Sequence, residues 1–168
     1  VSGKGLRQPH TFHVSPENTI LLTGEPRGIL AYAKGYCRQF GVVCSCQPEI
    51  KGKNVIYTPA ILPWYIGVDF NADGSVRFTK TYDDIAKAKP EKTKLISVIS
   101  SNKAFSRGHV DRLRFIRKLQ ERYGDSIDIY GRGYRGFADK WDVLAPYKYH
   151  IVIENSTSDY YFTEKLFD

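Results

Sequence analysis

Thr163-Glu164-Lys165 sets a carboxylate beside an ammonium where a helix is expected to begin, and free backbone N–H groups at such a start attract an anion. A lysine in a first helical turn opposes the helix dipole unless a negative ligand or neighbour offsets it. The two oxygens of Glu164 suit the paired hydroxyls of a ribose. A solvated Glu–Lys pair is the competing explanation. Arg112 follows the strand end Ser100-Ser101-Asn102, and a planar guanidinium can hold phosphate through two hydrogen bonds. The same stretch also carries Arg114, Arg117 and Arg122, so exposed arginine is the plain alternative. Glu25, fixed between Gly24 and Pro26 after an apolar run, has the placement of a general base for a hydroxyl nucleophile. An acidic residue opening a helix would look the same.

Other constellations carry less. Gly131-Arg132-Gly133-Tyr134-Arg135-Gly136 is a formal G-x-G-x-x-G after a strand, with Glu154 18 positions beyond its last glycine. A dinucleotide cradle must open directly into a helix, whereas Phe137-Ala138-Asp139 intervene here. A glycine-rich turn with two exposed arginines is the expectation. His10, His13, His109 and His150 offer no metal spacing beyond a weak His10-x-x-His13, so a metal-dependent site has no support. Cys37, Cys44 and Cys46 are odd in number and clustered, which reads as reduced thiols.

The elements that must position these groups alternate. Residues 18–23 form a strand, a helix is expected over 28–40 with Gly41 as its C-terminal cap, and "VVCSC" and "NVIYT" are further strands. Residues 59–74 read as irregular, and "TYDDIAKAK" as a short polar helix. "KPEKTK", residues 89–94, is the candidate boundary. Beyond it come a strand "LISVISSN", a helix over 109–122, a strand "IDIYG", a short helix "DKWDVLAPY", a strand "HIVIEN" and a helix from Thr163. In the 109–122 helix Val110, Leu113, Ile116 and Leu119 share one face, with Arg112, Arg114, Arg117 and Arg122 off it. Such alternation predicts a parallel sheet, and ligands bind beyond the carboxyl ends of its strands. The polar loops after "VIS", "IDIY" and "IVI" therefore converge on one crevice.

Composition bounds the function. With 42% apolar and 26% charged residues in 168, the chain is globular, and no apolar run approaches the length of a membrane span. The formal charge of +7 favours an anionic partner: nucleic acid, an acidic membrane surface or a phosphorylated substrate. The charges form no tail, so a local anion site fits as well as a groove. The chain opens on Val1, and further residues are expected upstream.

The closing residues "YKYHIVIENSTSDYYFTEKLFD" resemble the signature of the α-1,3/1,4-fucosyltransferases, glycosyltransferase family 10. Tyr147-Lys148-Tyr149, Glu154-Asn155-Ser156, Asp159-Tyr160 and Thr163-Glu164-Lys165 match it in order and spacing. "SVISSN" is similar to the family's strand ending in Ser-Asn, "DRLRFIRKL" to its arginine-bearing helix, and "IDIYGRG" to its Val-Asp-Val-Phe-Gly segment, which removes the dinucleotide reading. The resemblance covers 94–168; before 93 only "LLTGEP" is similar to the strand that delivers the family's acidic residue.

The resemblance implies an α/β fold of the GT-B type, with two Rossmann-like domains built on parallel sheets. Residues 1–93 would be the acceptor-side domain and 94–168 the nucleotide-sugar (donor) domain, truncated at Asp168. It implies an inverting, metal-independent transfer of fucose from GDP-fucose to a hydroxyl of a glycan of surface polysaccharide or lipopolysaccharide type, with no cofactor. Arg112 and Lys165 would bind the pyrophosphate, Glu164 the ribose, Asn155 and Tyr161 would line the donor site, and Glu25 would be the general base. The partners would be donor and acceptor rather than nucleic acid, with room for peripheral membrane association and a homo-oligomer. A bacterial-type cytoplasmic enzyme, peripheral to the inner membrane, is the expected setting. The alternative is a non-catalytic basic, aromatic-rich module holding nucleic acid or an acidic glycan. A phosphate-tracking groove has no use for the ordered carboxylates of Glu-Asn-Ser and Thr-Glu-Lys, which favours the transferase.

Overall fold

The computed structural model describes residues 11–60 and 64–167. His10 lies outside them, as do residues 61–63 of the stretch expected to be irregular. The chain divides into two compact units, Val1–Pro63 with Ser156–Thr163, and Trp64–Asn155 with Glu164–Asp168.

The first unit is built on a parallel sheet of β1 (Ile20–Leu22), β2 (Val42–Ser45) and β3 (Val55–Tyr57), in that order. Leu21 pairs with Val43 and Val43 with Val55. Leu21 and Val43 are buried with Cys37, and Tyr36, Phe40 and Ile50 pack against them. The long helix expected over 28–40 is a single turn, α1 (Lys34–Cys37). Ala33 at its N-cap has no side-chain cap to offer, and Gly28 before the turn and Gly35 within it weaken helix, so packing of Tyr36 and Cys37 is what holds the turn. Gly41 is not a left-handed cap. It is there because a Cβ would stand 2.6 Å from Cα of Glu17. Residues 156–163 join this unit through Tyr160, whose ring stacks on Tyr57 at 5.0 Å and 9°, and through Ser158, whose hydroxyl donates to the Cys46 carbonyl at 3.4 Å. The three cysteines are free thiols, as the sequence suggests.

The second unit mixes sheet types, which corrects the expectation of parallel sheets throughout. β4 (Val68–Phe70) and β5 (Val76–Phe78) form an antiparallel hairpin inside and just after the stretch expected to be irregular. α2 (Tyr82–Lys87) opens with a reciprocal cap between Thr81 and Asp84. β6 (Lys94–Ile99), β7 (Ile127–Tyr130) and β8 (Tyr147–Ile151) form a parallel sheet in the order β7-β6-β8. Val98 pairs with Ile129 on one side and Ile151 on the other. α3 (Arg107–Tyr123) connects β6 to β7. Ser106 caps its start, and Gly124, at a φ of 50°, ends it. Ile116 is fully buried among Val98, Ile127 and Ile129, a burial that contributes about 2–3 kcal/mol.

Two boundaries differ from expectation. β8 runs over 147–151 rather than through Asn155, because past Ile99 the central strand's bonding turns to the other neighbour, with Ser100 N–H donating to the Tyr130 carbonyl at 2.8 Å. Among the described residues the helix expected from Thr163 is one 3-10 turn, Glu164–Leu166, too short to have an N-terminal dipole of consequence.

Asp139, 5% exposed, ties the hairpin to the 3-10 turn Lys140–Val143. It accepts from Gly67 N–H at 3.0 Å, Thr79 Oγ1 at 2.7 Å and Trp141 N–H at 2.9 Å, with Lys80 Nζ at 3.5 Å.

Candidate functional site

At the carboxyl ends of β6, β7 and β8 lies a cavity of about 270 Å³. Ser100 and Ser101 just after β6, Gly131 and Arg132 just after β7, and Ile151 to Ile153 at and beyond the end of β8 form its walls; Arg112, Lys140, Glu164 and Lys165 reach it from helical turns. The three polar loops thus do converge.

Arg112 is its unusual member. It is 6% exposed and belongs to the buried face of α3 with His109 and Ile116, whereas Arg114, Arg117 and Arg122 are exposed. The expectation that Arg112 stands off that face is corrected: the i, i+4 spacing to Ile116 places it inward, and the end of β6 offers it acceptors. Nη2 donates to the carbonyl and the hydroxyl of Ser101, both at 3.2 Å. Nε has no partner among the described residues. Burial pulls the guanidinium below its ordinary pKa, countered by Tyr134 and Glu154, and it stays a cation at neutral pH. A buried cation with an unused donor is strongly stabilised by an anion.

The glycines shape the wall. Gly131, at a φ of 112°, and Gly133, at 86°, let the loop after β7 lie against Ser100 and Asn102. Gly131 N–H already donates to the Arg135 carbonyl at 2.9 Å, so this is a closed turn and not a phosphate cradle. Arg132 and Arg135 are exposed on it.

Lys165 Nζ stands 3.5 Å from both Glu154 Oε2 and Glu164 Oε1, and Lys140 Nζ 3.8 Å from Glu164 Oε1. Arg112, Arg132, Lys140 and Lys165 line the cavity against Glu164 alone, so it is net positive. His150 also lines it, with Nδ1 2.8 Å from the Ser97 hydroxyl. Burial, then the charge of Lys140, pushes the His150 pKa down to about 4, and the ring is neutral at pH 7.

The second unit therefore brings Arg112, Glu164 and Lys165 together in one cavity. Asn155 is half-buried in the same unit, outside the cavity lining. Glu25 and the buried Tyr161 belong to the first unit. The Glu25 loop is pinned by buried Gln47, whose Nε2 donates to the carbonyls of Glu25 at 2.8 Å and Leu30 at 2.7 Å. Sequence reasoning missed Ser101, Arg132, Lys140 and His150. Ser101 and Arg132 follow strand ends and were open to that inference; Lys140 and His150 carried no signal.

Residues 89–168 match the model of glycosyltransferase family 10 (fucosyltransferase), C-terminal part. The match makes this segment similar to that family and covers a little under half of the chain. No curated protein and no solved structure matches the chain. The matched segment holds the whole β7-β6-β8 sheet, α3 and every residue lining the cavity. Arg112, Asn155, Tyr161, Glu164 and Lys165 lie within it, and Glu25 lies before it. Among the described residues no group of three or more His, Cys, Asp or Glu is arranged to hold a metal ion, and no helix is long and apolar enough to cross a membrane.

Proposed function

We propose that the chain is a fucosyltransferase of the inverting, metal-independent kind, moving fucose from GDP-fucose to a glycan hydroxyl. The observation that carries the reading is Arg112: buried, with an unused Nε donor, at the carboxyl ends of three parallel strands in the matched segment. In this reading Arg112 and Lys165 take the pyrophosphate, joined by Lys140, and Glu164 takes the ribose hydroxyls. Asn155 and Tyr161 line the donor site. Glu25 withdraws the proton of the acceptor hydroxyl, whose oxygen forms a bond to the anomeric carbon as the bond to GDP breaks. The negative charge gathering on the departing diphosphate is met by cations fixed before the reaction begins. Residues 1–93 serve the acceptor and 94–168 the donor, in a GT-B arrangement of two Rossmann-like domains.

Binding isotherms for GDP and UDP, on the wild-type chain and Lys165→Ala, test this. GDP binding in the micromolar range, weaker for UDP and lost by about tenfold or more in the variant, is expected for a charge-assisted contact. An absence of nucleotide binding, together with strongly salt-dependent affinity for a single-stranded oligonucleotide, would replace the transferase with a binding module.

A further inference from the structure

The first unit has a cavity of its own, of about 340 Å³, lined by α1, β2, β3 and the segments around them. That volume lies in the range of small-ligand sites. Its floor is apolar: Cys37 and Val43 are buried there, with the half-buried ring of Tyr32 beside them. Its rim is basic. Arg27, Lys34, Arg38 and Lys51 surround it with Glu49 as the single carboxylate. All four cations are exposed, and none forms an ion pair with another described residue. The ammonium of Lys51 lies 5.5 Å from the Tyr57 ring centre.

Like charges gathered around a concavity raise its potential and repel one another, and an anion relieves both. Arginine forks add directional hydrogen bonds to a carboxylate or phosphate. An aromatic and aliphatic floor below such a rim fits the apolar face of a sugar ring. Nucleic acid fits less well, since a strand needs an extended basic track with several stacking rings, and this is a single compact concavity. Glu25 is outside the lining but lies two positions before Arg27, which is part of it, and the hydroxyl of the lining Tyr32 is pushed above its ordinary pKa first by burial and next by the Glu25 charge.

We propose that this cavity binds an acidic saccharide, seating its carboxylate or phosphate on Arg27, Lys34 and Arg38. Glycan chemistry at Glu25 would then act on an acceptor bearing such a group close to the reacting hydroxyl. The acceptor role rests on the transferase reading; the affinity for an acidic saccharide does not.

Calorimetric titration of the whole chain with four probes tests it: a glucuronate-containing tetrasaccharide, its carboxyl-reduced counterpart, glucose 6-phosphate, and a single-stranded oligonucleotide. The acidic tetrasaccharide or the sugar phosphate is expected to bind about tenfold or more tightly than the carboxyl-reduced sugar. The stronger of the two shows whether the anion is a carboxylate or a phosphate. The double variant Lys34→Gln, Arg38→Gln, both at exposed positions, should lose about tenfold for that probe. Equal binding of the acidic and reduced sugars, no binding of either acidic probe, no loss in the double variant, or tightest binding of the oligonucleotide overturns the proposal. GDP is titrated into the same samples. Acidic-sugar binding without GDP binding would overturn the transferase reading alone, and GDP binding without acidic-sugar binding would overturn this inference alone.

Discussion

Gly131 and Ser100 touch so closely that a Cβ on the glycine would stand 1.9 Å from the serine carbonyl oxygen. That contact seats the loop after β7 against the end of β6, next to the Ser101 groups that receive Arg112. Gly131→Ala must therefore push Ser100 away and also strain a φ of 112°. We expect a loss of about 2–4 kcal/mol in urea unfolding, with weaker GDP binding as the Arg112 seat shifts. An unfolding midpoint like that of the wild type would contradict this packing.

Arg112 itself separates binding from stability. Replacing a buried cation by an apolar chain of similar length is often neutral or stabilising, because no charge has to be desolvated. Arg112→Met should keep or raise the thermal midpoint while GDP affinity falls by about tenfold or more. If the midpoint and the affinity collapsed together, Arg112 would be a structural residue.

Asp139 should behave in the opposite way. Burial would raise its carboxyl pKa, but the Trp141 N–H, Thr79, the Gly67 N–H and Lys80 together hold it below the usual value. A group lowered on folding stabilises the protein above its unfolded pKa of about 3.9, and the effect vanishes as pH falls through the lower folded value. Asp139→Asn should cost about 2–3 kcal/mol at pH 7, and the difference from wild type should shrink below about pH 4. Urea unfolding at pH 7 and pH 3 reads both. The hairpin should loosen as well, because Gly67 and Thr79 flank it.

His150 gives a second pH dependence in a different window. Its folded pKa of about 4 lies below the ordinary histidine value, so the unfolded chain binds the extra proton first. Stability should fall as pH drops from about 6.5 to about 4 and level off below, by about 2 kcal/mol allowing for the ring's partial exposure. His150→Gln should remove that slope and leave stability above pH 7 little changed. A thermal-midpoint series across the window decides it; parallel curves for the two proteins would refute the assignment.

What could be read in the sequence was whatever repeats with a period. β1, β2, β3, β6 and β7 are short apolar runs, and α3 shows Leu113, Ile116 and Leu119 at helical spacing between a serine cap and a glycine stop. The β4–β5 hairpin escaped because Phe70, Val76 and Phe78 stay exposed, so nothing but the Asn71–Gly74 turn marks it. In β8 the apolar run misled: Ile153 packs on the core from outside the strand, while the strand proper is the polar-looking Tyr147–Ile151. The cavity was legible in outline, since parallel strands direct Ser101, Arg132 and the residues after Ile151 to one end. Lys140 was hidden because its place depends on the Asp139 clamp, a contact spanning 72 positions to Gly67.

The stack of Tyr160 on Tyr57 has a consequence for engineering. The first unit borrows residues 156–163 from within the matched segment, so its boundary is crossed three times along the chain. A chimera that exchanges only the stretch up to Pro63 would remove Tyr57 and leave Tyr160 against a foreign partner. Transplanting the first unit of a related chain onto this second unit therefore takes a two-part graft, with the eight residues Ser156–Thr163 carried along as its second piece.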